Sequence, residues 1–273
     1  MTRGMTRAAS TTQLKSTVRS WKFPPGGPHH TARLAPPRRF YVAALPRGTA
    51  RLGRHPLARA TPHAILPSAG YSPLAMLGKR AMDICFALLL LILLSLPLLM
   101  LALLVKLTSE GPVFYLQERV GQHGHPFRMY KFRSMKLNAD AELMALLQAQ
   151  GTDKTPFFKV HKDPRLTSIG GFLRRYSLDE LPQLLNVLAG SMSLVGPRPQ
   201  RPHEVALYDD HARRRLTVPP GMSGLWQVSG RSSLSWEESL QLDLRYVDNW
   251  SLLVDILILL RTFKAVFACT GAL

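Results

Sequence analysis

The stretch ICFALLLLILLSLPLLMLALLV, residues Ile84 to Val105, contains no charged side chain. As a straight α-helix it would be about 33 Å long, enough to cross a hydrocarbon core of about 30 Å. Soluble domains rarely bury a helix of this apolar purity, and the segment lies too far from the N-terminus for a cleaved signal peptide. We therefore predict that it enters a membrane, as the main part of a membrane helix over residues 76–106.

Two features of this segment bear on its topology. Pro97 lies in its interior, two residues after Ser95, where it removes a backbone hydrogen bond and favours a kink. Basic residues flank both ends, Lys79 and Arg80 before it and Lys106 after it, so the positive-inside rule gives no clear orientation. Both features fit a helix that breaks at Ser95 and Pro97 and leaves by the face it entered. A kinked helix that spans the bilayer is the alternative.

The rest of the chain holds no second segment of comparable purity, which excludes a polytopic transporter or transferase. Leu252–Leu260 is apolar except for Asp255 and is followed by Arg261 and Lys264. This pattern predicts a C-terminal helix that lies in the membrane interface, with its basic residues at the headgroups. A terminal helix that packs on the core is the alternative.

Positive charge is concentrated near the N-terminus. The chain carries 35 Lys and Arg against 17 Asp and Glu, and residues 1–70 hold 12 basic residues and no acid. This composition, without apolar periodicity, predicts that residues 1–75 form a disordered basic arm. The arm could bind anionic lipid or nucleic acid, or act as a transit peptide. We favour a third account, in which translation starts near Met76, because recognisable organisation begins at Gly78.

The cysteines and histidines do not have the spacing of a disulfide framework or a metal site. Cys85 and Cys269 both lie in apolar stretches, so we expect small buried side chains in a reducing compartment. His123 and His125 have no further ligand at metal spacing, which argues against zinc.

Residues 107–273 predict a small cytoplasmic domain of the α+β class, mostly helical. Gly111–Tyr115 and Phe127–Arg133 are β-prone and are separated by glycine-punctuated residues, so we expect a β-hairpin that presents Lys131 and Arg133 on one face. Residues 138–150, 169–176 and 204–218 have helical patterns, and the last would carry Arg213, Arg214 and Arg215 on a solvated or headgroup-facing surface.

Ser177-Leu178-Asp179-Glu180-Leu181-Pro182-Gln183 places two carboxylates side by side, just after Arg174 and Arg175. Ser177 and Glu180 match a capping box, or Asp179 is itself the N-cap, so either way a helix begins here. Neighbouring like charges raise each other's pKa, whereas cations or a metal favour ionisation. Acid-rich first turns are ordinary, so this spacing alone leaves capping ahead of catalysis.

Two further loops present arginine. Prolines on both sides of Arg198, in Gly196-Pro197-Arg198-Pro199, restrict the backbone and hold one guanidinium in a set direction, which suits phosphate. Residues 219–231, PPGMSGLWQVSGR, carry an aromatic side chain and end at Arg231, so this loop could stack a base and bind a phosphate. A structural hairpin explains the same pattern.

Together these segments resemble the bacterial sugar transferases that are monotopic phosphoglycosyl transferases, from about Lys79 to Phe267. The landmarks, in family order, are Lys79-Arg80-x-x-Asp83, Gln117-x-Arg119-x-Gly121, Tyr130-Lys131-Phe132-Arg133-Ser134-Met135, Asp163-Pro164-Arg165, Arg174 to Gln183, Ser193-Leu194-Val195-Gly196-Pro197-Arg198-Pro199 and Gly230-Arg231. The family's membrane helix is re-entrant and breaks at an adjacent Ser-Pro pair, whereas here Leu96 separates Ser95 from Pro97.

The resemblance implies that Asp179 attacks the sugar-bearing phosphate of a UDP-sugar, releases UMP, and passes the phosphosugar to polyprenyl phosphate. It implies Mg²⁺ held by Glu180, substrate contacts from Arg198, and further basic contacts from Lys131, Arg174 and Arg231. It also implies a place on the cytoplasmic side of the bacterial inner membrane, with the lipid bilayer as a partner and no nucleic acid. A membrane-tethered binding protein is the alternative class, and it would leave the acid pair without a role.

Overall fold

The computed structural model describes residues 71–137, 139, 142, 163–230 and 234–267. Helix α1 runs from Pro73 to Leu93 and helix α2 from Ser95 to Thr108. Among these residues no single helix is both long and apolar enough to cross a bilayer, and α1 and α2 meet that requirement only as a pair, bent by 65°. The bend lies at Leu94, beside the predicted break.

Local chemistry explains the bend at Leu94. The Ser95 hydroxyl donates to the Ile92 carbonyl oxygen at 2.8 Å, so one carbonyl exposed by the break has a partner. Pro97 falls in the first turn of α2, where a helix has no internal use for the missing N–H. The Ser95-Leu96-Pro97 spacing therefore starts a new helix after the bend.

Helix α1 buries two charged residues together with apolar ones where it contacts the rest of the protein. Lys79, Asp83 and Ala87, spaced by four residues, are its buried residues, so they lie on one helix face. Most leucines and isoleucines around the bend are exposed, whereas Leu90, Leu91, Leu98 and Leu101 are half-buried against the apolar clusters. Helix α2 fully buries only Val105.

The predicted β-hairpin is confirmed. Strand β1, Phe114–Val120, pairs antiparallel with β2, Pro126–Phe132, with Gln117 opposite Met129. A second pair is parallel: β3, Ser193–Val195, lies beside β4, Gly221–Ser223. Because that pair is parallel, the loop after residue 219 does not form the structural hairpin that its glycines suggested.

The remaining described segments are short helices around these strands. They are α3 (Gly170–Arg175), α4 (Gln183–Ala189), α5 (Pro202–Val205), α6 (Asp210–Arg213), α7 (Leu225–Val228), α8 (Trp236–Asp248) and α9 (Leu252–Phe267). The mostly helical α+β class is thus confirmed. The single helix predicted over 204–218 is wrong, because this stretch is divided among α5, α6 and a 3₁₀ turn at Arg214–Thr217.

One apolar core joins elements from both ends of the described chain. Its buried members come from α1, β2, α4, β3, α7, α8 and α9, and include Ala87, Met129, Leu184, Val195, Leu225, Tyr246 and Ile258. Two smaller clusters lie beside it, one around Val105, Phe132 and Leu173 and one around Val120, Tyr208 and Leu216. The hydrophobic effect therefore fixes α1 to the domain that carries the candidate site.

Helix α9 packs on the core, which is the alternative that the sequence left open, and its position in a membrane interface stays a prediction. Val254, Asp255 and Ile258 are completely buried, so one face packs on the core. Leu253, Ile256, Leu260 and Phe263 on other faces are exposed. The buried position predicted for Cys85 is wrong, because its thiol lies on the exposed apolar surface of α1. Cys269 and most of the predicted 138–150 helix lie outside the described residues.

Candidate active site

The two adjacent carboxylates lie in a tight turn between helices. Asp179 and Glu180 belong to a 3₁₀ turn over Leu178–Glu180, and α4 begins three residues later at Gln183. The predicted capping box is wrong, as is an N-cap at Asp179. Ser177 has a left-handed backbone (φ 56°) and its side chain caps nothing. Its backbone N–H donates to the Arg174 carbonyl at 3.2 Å and is therefore not available to donate to the Glu180 carboxylate, as a capping box requires.

Glu180 is held by two cations from different parts of the fold. Lys131 Nζ of β2 lies 3.0 Å from Glu180 Oε1, and Arg198 Nη2 lies 3.3 Å from the same oxygen. Burial alone would raise the pKa of this carboxyl, but the charges of Lys131 and Arg198 outweigh it and hold the pKa well below its usual range. Glu180 is therefore ionised at neutral pH.

Asp179 has a different environment from its neighbour. Its residue is 7% exposed, and its carboxylate receives no hydrogen bond from the described residues. Burial, followed by the negative charge of Glu180, raises the pKa of Asp179 to about 6, against the opposing charges of Lys131, Arg174 and Arg198. A carboxylate without donors keeps its lone pairs available, and at neutral pH most of it is ionised.

Arg198 is presented rigidly, as its flanking prolines predict. The backbone before it packs directly against β4. Gly221 N–H donates to the Pro197 carbonyl at 2.9 Å, and a Cβ on Gly221 would lie only 2.0 Å from the Gly196 nitrogen. The Arg198 guanidinium carbon lies 5.7 Å from the centre of the Trp226 ring, within cation–π range.

Lys131 is positioned by a residue that the sequence did not single out. Asn186 of α4 accepts from Tyr130 N–H at 2.9 Å and donates to the Arg128 carbonyl at 2.8 Å, so its amide pairs with β2 as a neighbouring strand would. Because α4 follows Glu180 directly, this pairing sets the Lys131–Glu180 distance. The only signal for it in the sequence was a single asparagine within the otherwise apolar residues 184–189.

The other predicted basic residues divide into three groups. Arg174 is exposed at the end of α3 and acts on Asp179 through charge rather than contact. Arg231 lies outside the described residues. The two-cation surface predicted for Lys131 and Arg133 is wrong, because Arg133 is buried and donates to the backbone carbonyls of Ser109 and Pro112.

A divalent cation would fit beside this pair only with ligands from elsewhere. In the described part of the chain no three His, Cys, Asp or Glu side chains are grouped as metal ligands. The side chains of Lys131 and Arg198 both contact Oε1 of Glu180. Its Oε2 and the Asp179 carboxylate receive no hydrogen bond from the described residues. Mg²⁺ commonly binds one or two carboxylates and takes its other ligands from substrate phosphates and water. The donor set therefore fits a magnesium–diphosphate complex.

Comparison with known proteins identifies the family. The family model "Bacterial sugar transferase" matches residues 74–269. The chain is 42% identical over 204 residues to the exopolysaccharide production protein ExoY of Sinorhizobium fredii, covering 73% of this chain and 90% of that protein.

Two longer relatives carry more specific names. Identity is 46% over 198 residues with the undecaprenyl-phosphate galactose phosphotransferase of Salmonella typhimurium, covering 71% of this chain and 41% of that protein. It is 41% over 198 residues with the UDP-glucose:undecaprenyl-phosphate glucose-1-phosphate transferase of Escherichia coli, covering 68% of this chain and 39% of that protein. The chain thus spans about two fifths of these two relatives and belongs to the bacterial sugar transferase family.

Proposed function

We propose that this protein transfers a sugar 1-phosphate from a UDP-sugar to polyprenyl phosphate through a covalent intermediate on Asp179, with release of UMP. The observation that carries the proposal is the contrast within the acid pair. Glu180 is bound by Lys131 and Arg198, whereas Asp179 beside it is buried, has no donor, and has a pKa raised to about 6. The names of the relatives, which act on undecaprenyl phosphate, support the reaction class.

The chemistry divides into two displacements. An Asp179 carboxylate oxygen attacks the phosphorus that bears the sugar, and the bond from this phosphorus to the oxygen bridging the two phosphates breaks, so UMP leaves. A phosphate oxygen of the polyprenyl phosphate then attacks the same phosphorus and displaces the Asp179 carboxylate. Covalent catalysis thereby splits one difficult transfer between anions into two steps.

The surrounding residues reduce repulsion between these anions. Lys131 and Arg198 bring two positive charges to Glu180, next to Asp179, and these charges would stabilise a diphosphate bound there. Glu180 would hold Mg²⁺ through its free oxygen, and the metal would neutralise charge on the diphosphate. The Trp226 ring, half-buried against the core, supports the Arg198 guanidinium from below.

The relatives that name a sugar name galactose or glucose, and the loop Gly224-Leu225-Trp226-Gln227 agrees with a hexose. We therefore assign the donor to the UDP-hexoses. The product, a polyprenyl diphosphate sugar, would serve exopolysaccharide or capsule assembly, in line with the exopolysaccharide relative. A panel of UDP-sugars compared by UMP release identifies the donor.

The bent helix pair would enter and leave the bilayer by its cytoplasmic face. Leu89, Ile92, Leu93, Leu96, Leu99 and Leu103 around the bend are 57–70% exposed, a surface that water disfavours and acyl chains accept. The polar Lys79–Asp83 face meanwhile keeps α1 attached to the domain. Cysteines placed at Leu74 and Leu107 should both react with impermeant maleimide in inverted membrane vesicles, and neither should react in spheroplasts. Reaction from opposite sides would establish a spanning helix instead.

The decisive test uses purified protein in detergent with UDP-hexose, Mg²⁺ and polyprenyl phosphate. Asp179→Asn should lower UMP release by at least about 1,000-fold, because the amide cannot form the acyl phosphate. Glu180→Gln should retain the covalent step but require more Mg²⁺. Incubation with UDP-hexose alone should leave one hexose phosphate on the wild-type protein and none on Asp179→Asn, measured by intact mass. Full turnover by Asp179→Asn, or UDP as the product, would refute the mechanism.

A further inference from the structure

The backbone on either side of Arg198 is bound at nearly every carbonyl. Two of these acceptors receive ordinary backbone N–H groups: Pro197 from Gly221, and Gln200 from Val120 at 3.0 Å. The two between them, on Arg198 and Pro199, receive guanidinium groups from buried arginines instead. A guanidinium differs from a backbone N–H as a donor because it also brings a positive charge.

Arg119 holds the Pro199 carbonyl. Its Nη1 donates to that oxygen at 3.0 Å, and its Nε and Nη2 donate to Gln117 Oε1 at 3.1 and 2.7 Å. The residue is 6% exposed, and its carboxylate partner, Glu204, lies 3.9 Å away. Burial, then the positive charge of Arg198, lowers the pKa of Arg119 to about 9. Arg119 therefore holds the Pro199 carbonyl in spite of the cost of burying its charge.

Arg215 holds the Arg198 carbonyl from the other side. Its Nη2 donates to that oxygen at 3.0 Å and to the Asp243 carboxylate, and its Nη1 donates to the Tyr208 hydroxyl at 2.6 Å. Arg215 and Asp243 are 4% and 1% exposed, so the pair is fully enclosed. The expected solvated surface at Arg213–Arg215 is therefore wrong for its last member. Pro197 and Pro199 have no backbone N–H, so this segment has fewer local donors for its own carbonyls. The side chains of Arg119 and Arg215 supply donors instead.

We propose that Arg119 and Arg215 are positioning residues, which hold the successive carbonyls of Pro199 and Arg198 and thereby direct the Arg198 guanidinium to Glu180 and over Trp226. The inference rests on the proposed function, in which Arg198 acts on the diphosphate. Three of the five donor groups of Arg215 are not free to move, because Asp243, Tyr208 and the loop bind them in one plane. Through the two buried arginines, the positions of β1 and α8 thus determine the position of Arg198.

The chain provides a matched control in the neighbouring ion pair. Arg214 pairs with Asp248, so Arg214 and Arg215 both join the same 3₁₀ turn to the same helix, α8. The Arg214 pair is about two fifths exposed and donates nothing to the Arg198 loop. Replacing it removes an arginine–aspartate link between the two elements without removing a donor from the loop.

The test variant is Arg215→Met with Asp243→Leu, because a buried ion pair is often replaced by apolar residues with little loss of stability. It should fold, with a melting temperature close to that of the wild type. Catalytic efficiency for UMP release should fall about 10-fold or more, the effect of losing a hydrogen bond to a charged group. Arg214→Met with Asp248→Leu should retain wild-type efficiency. Arg119→Lys, which approaches the loop from the opposite side, should lose efficiency as the Arg215 variant does.

Combination with Arg198→Ala separates positioning from general damage. If Arg215 acts through Arg198, its replacement can do no further harm once Arg198 is absent. The variant that combines Arg198→Ala with the Arg215 and Asp243 changes should therefore lose no more catalytic efficiency than Arg198→Ala alone. Multiplied losses would overturn the inference. So would an Arg215 and Asp243 variant with wild-type efficiency when Arg198→Ala alone lowers efficiency.

A second readout does not depend on activity. With 5-fluorotryptophan, the ¹⁹F resonance of Trp226, assigned through Trp226→Phe, reports the cation over its ring. Arg198→Ala and the Arg215 and Asp243 variant should shift it similarly, and the Arg214 control should not. An unshifted resonance in the Arg215 variant would overturn the positioning role. A shifted resonance with UMP release unaffected by Arg198→Ala would support positioning and refute the proposed role of Arg198.

Discussion

At the scale of single residues, Asp179 and Glu180 show how two chemically similar groups receive different tasks. They are adjacent in one turn, yet Glu180 faces Lys131 and Arg198 while Asp179 faces no donor. Burial and mutual repulsion raise the pKa of Asp179, and two cations lower that of Glu180. Under the proposed mechanism, this separation of the two pKa values keeps Asp179 available as a nucleophile beside a permanently charged neighbour.

The raised pKa of Asp179 predicts a pH profile. Only the ionised carboxylate attacks, so UMP release in the first half-reaction should fall about tenfold per unit below pH 6 and level off above it. Glu180→Gln removes the neighbouring negative charge, so it should lower the pKa of Asp179 and shift the midpoint of this fall to lower pH. The measurement is the burst of UMP without polyprenyl phosphate, which avoids titration of the lipid phosphate.

A control for this profile is Glu237→Gln, an exposed acid in the first turn of α8. It should leave the midpoint unchanged. A wild-type midpoint near 4, or an unchanged midpoint in Glu180→Gln, would show that Asp179 is not the titrating nucleophile.

At the scale of elements, the bend of the α1–α2 pair and its attachment to the domain depend on different residues. Ser95 and Pro97 produce the bend. The Asp83 carboxylate accepts from Leu194 N–H at 3.0 Å, and Arg80 donates to the Val187 and Leu188 carbonyls at 2.6 and 2.8 Å. The motif Lys79-Arg80-x-x-Asp83 thus joins the helix to β3, which precedes Arg198, and to α4, which follows Glu180.

Pro97→Ala should straighten the helix pair. The new N–H at position 97 can donate to the Leu93 carbonyl and extend α1 into α2. Spin labels at the exposed positions Leu74 and Leu107, in a chain without cysteine, would be about 42 Å apart at a 65° bend and about 50 Å apart in a straight helix. Double electron–electron resonance measures the difference.

Leu99→Ala serves as the matched control, because Leu99 is exposed on the same helix and its N–H is already present. It should keep the wild-type distance. The same distance in Pro97→Ala as in the wild type would mean that packing of the domain, rather than Pro97, sets the bend.

At the scale of the whole molecule, a buried polar cluster connects the two ends of the described chain. Lys79 Nζ lies 2.6 Å from Asp255 Oδ2, across 176 residues of sequence, and Tyr246 and Trp250 donate to the same carboxylate at 2.8 and 3.1 Å. Lys79 also donates to the Val195 carbonyl at 3.0 Å. Helix α1, helix α9 and strand β3, which precedes the Arg198 loop, therefore meet at one charge pair.

Lys79→Met should destabilise the protein by about 3–5 kcal/mol, because it leaves Asp255, which is fully buried, without its cation. Lys79→Met combined with Asp255→Leu should recover most of this loss. Thermal unfolding in detergent, followed by circular dichroism, compares the variants. The control is Lys106→Met on α2, an exposed lysine that forms no ion pair within the described residues. Equal stability of Lys79→Met and the wild type would exclude the cluster as a structural link.

What the sequence alone determined about this protein is local. The charge-free run, its break near Pro97, the β-hairpin, the acid pair and the rigid loop at Arg198 all follow from the residues of one segment and their backbone preferences. Tertiary structure alone decided which residues meet: Lys131 rather than Arg133 reaches Glu180, Arg215 is buried behind Arg198, Asn186 pairs with β2, and Cys85 faces outward. These outcomes depend on packing between segments distant in sequence, because a side chain's partner and burial are set by the elements against which its own element folds.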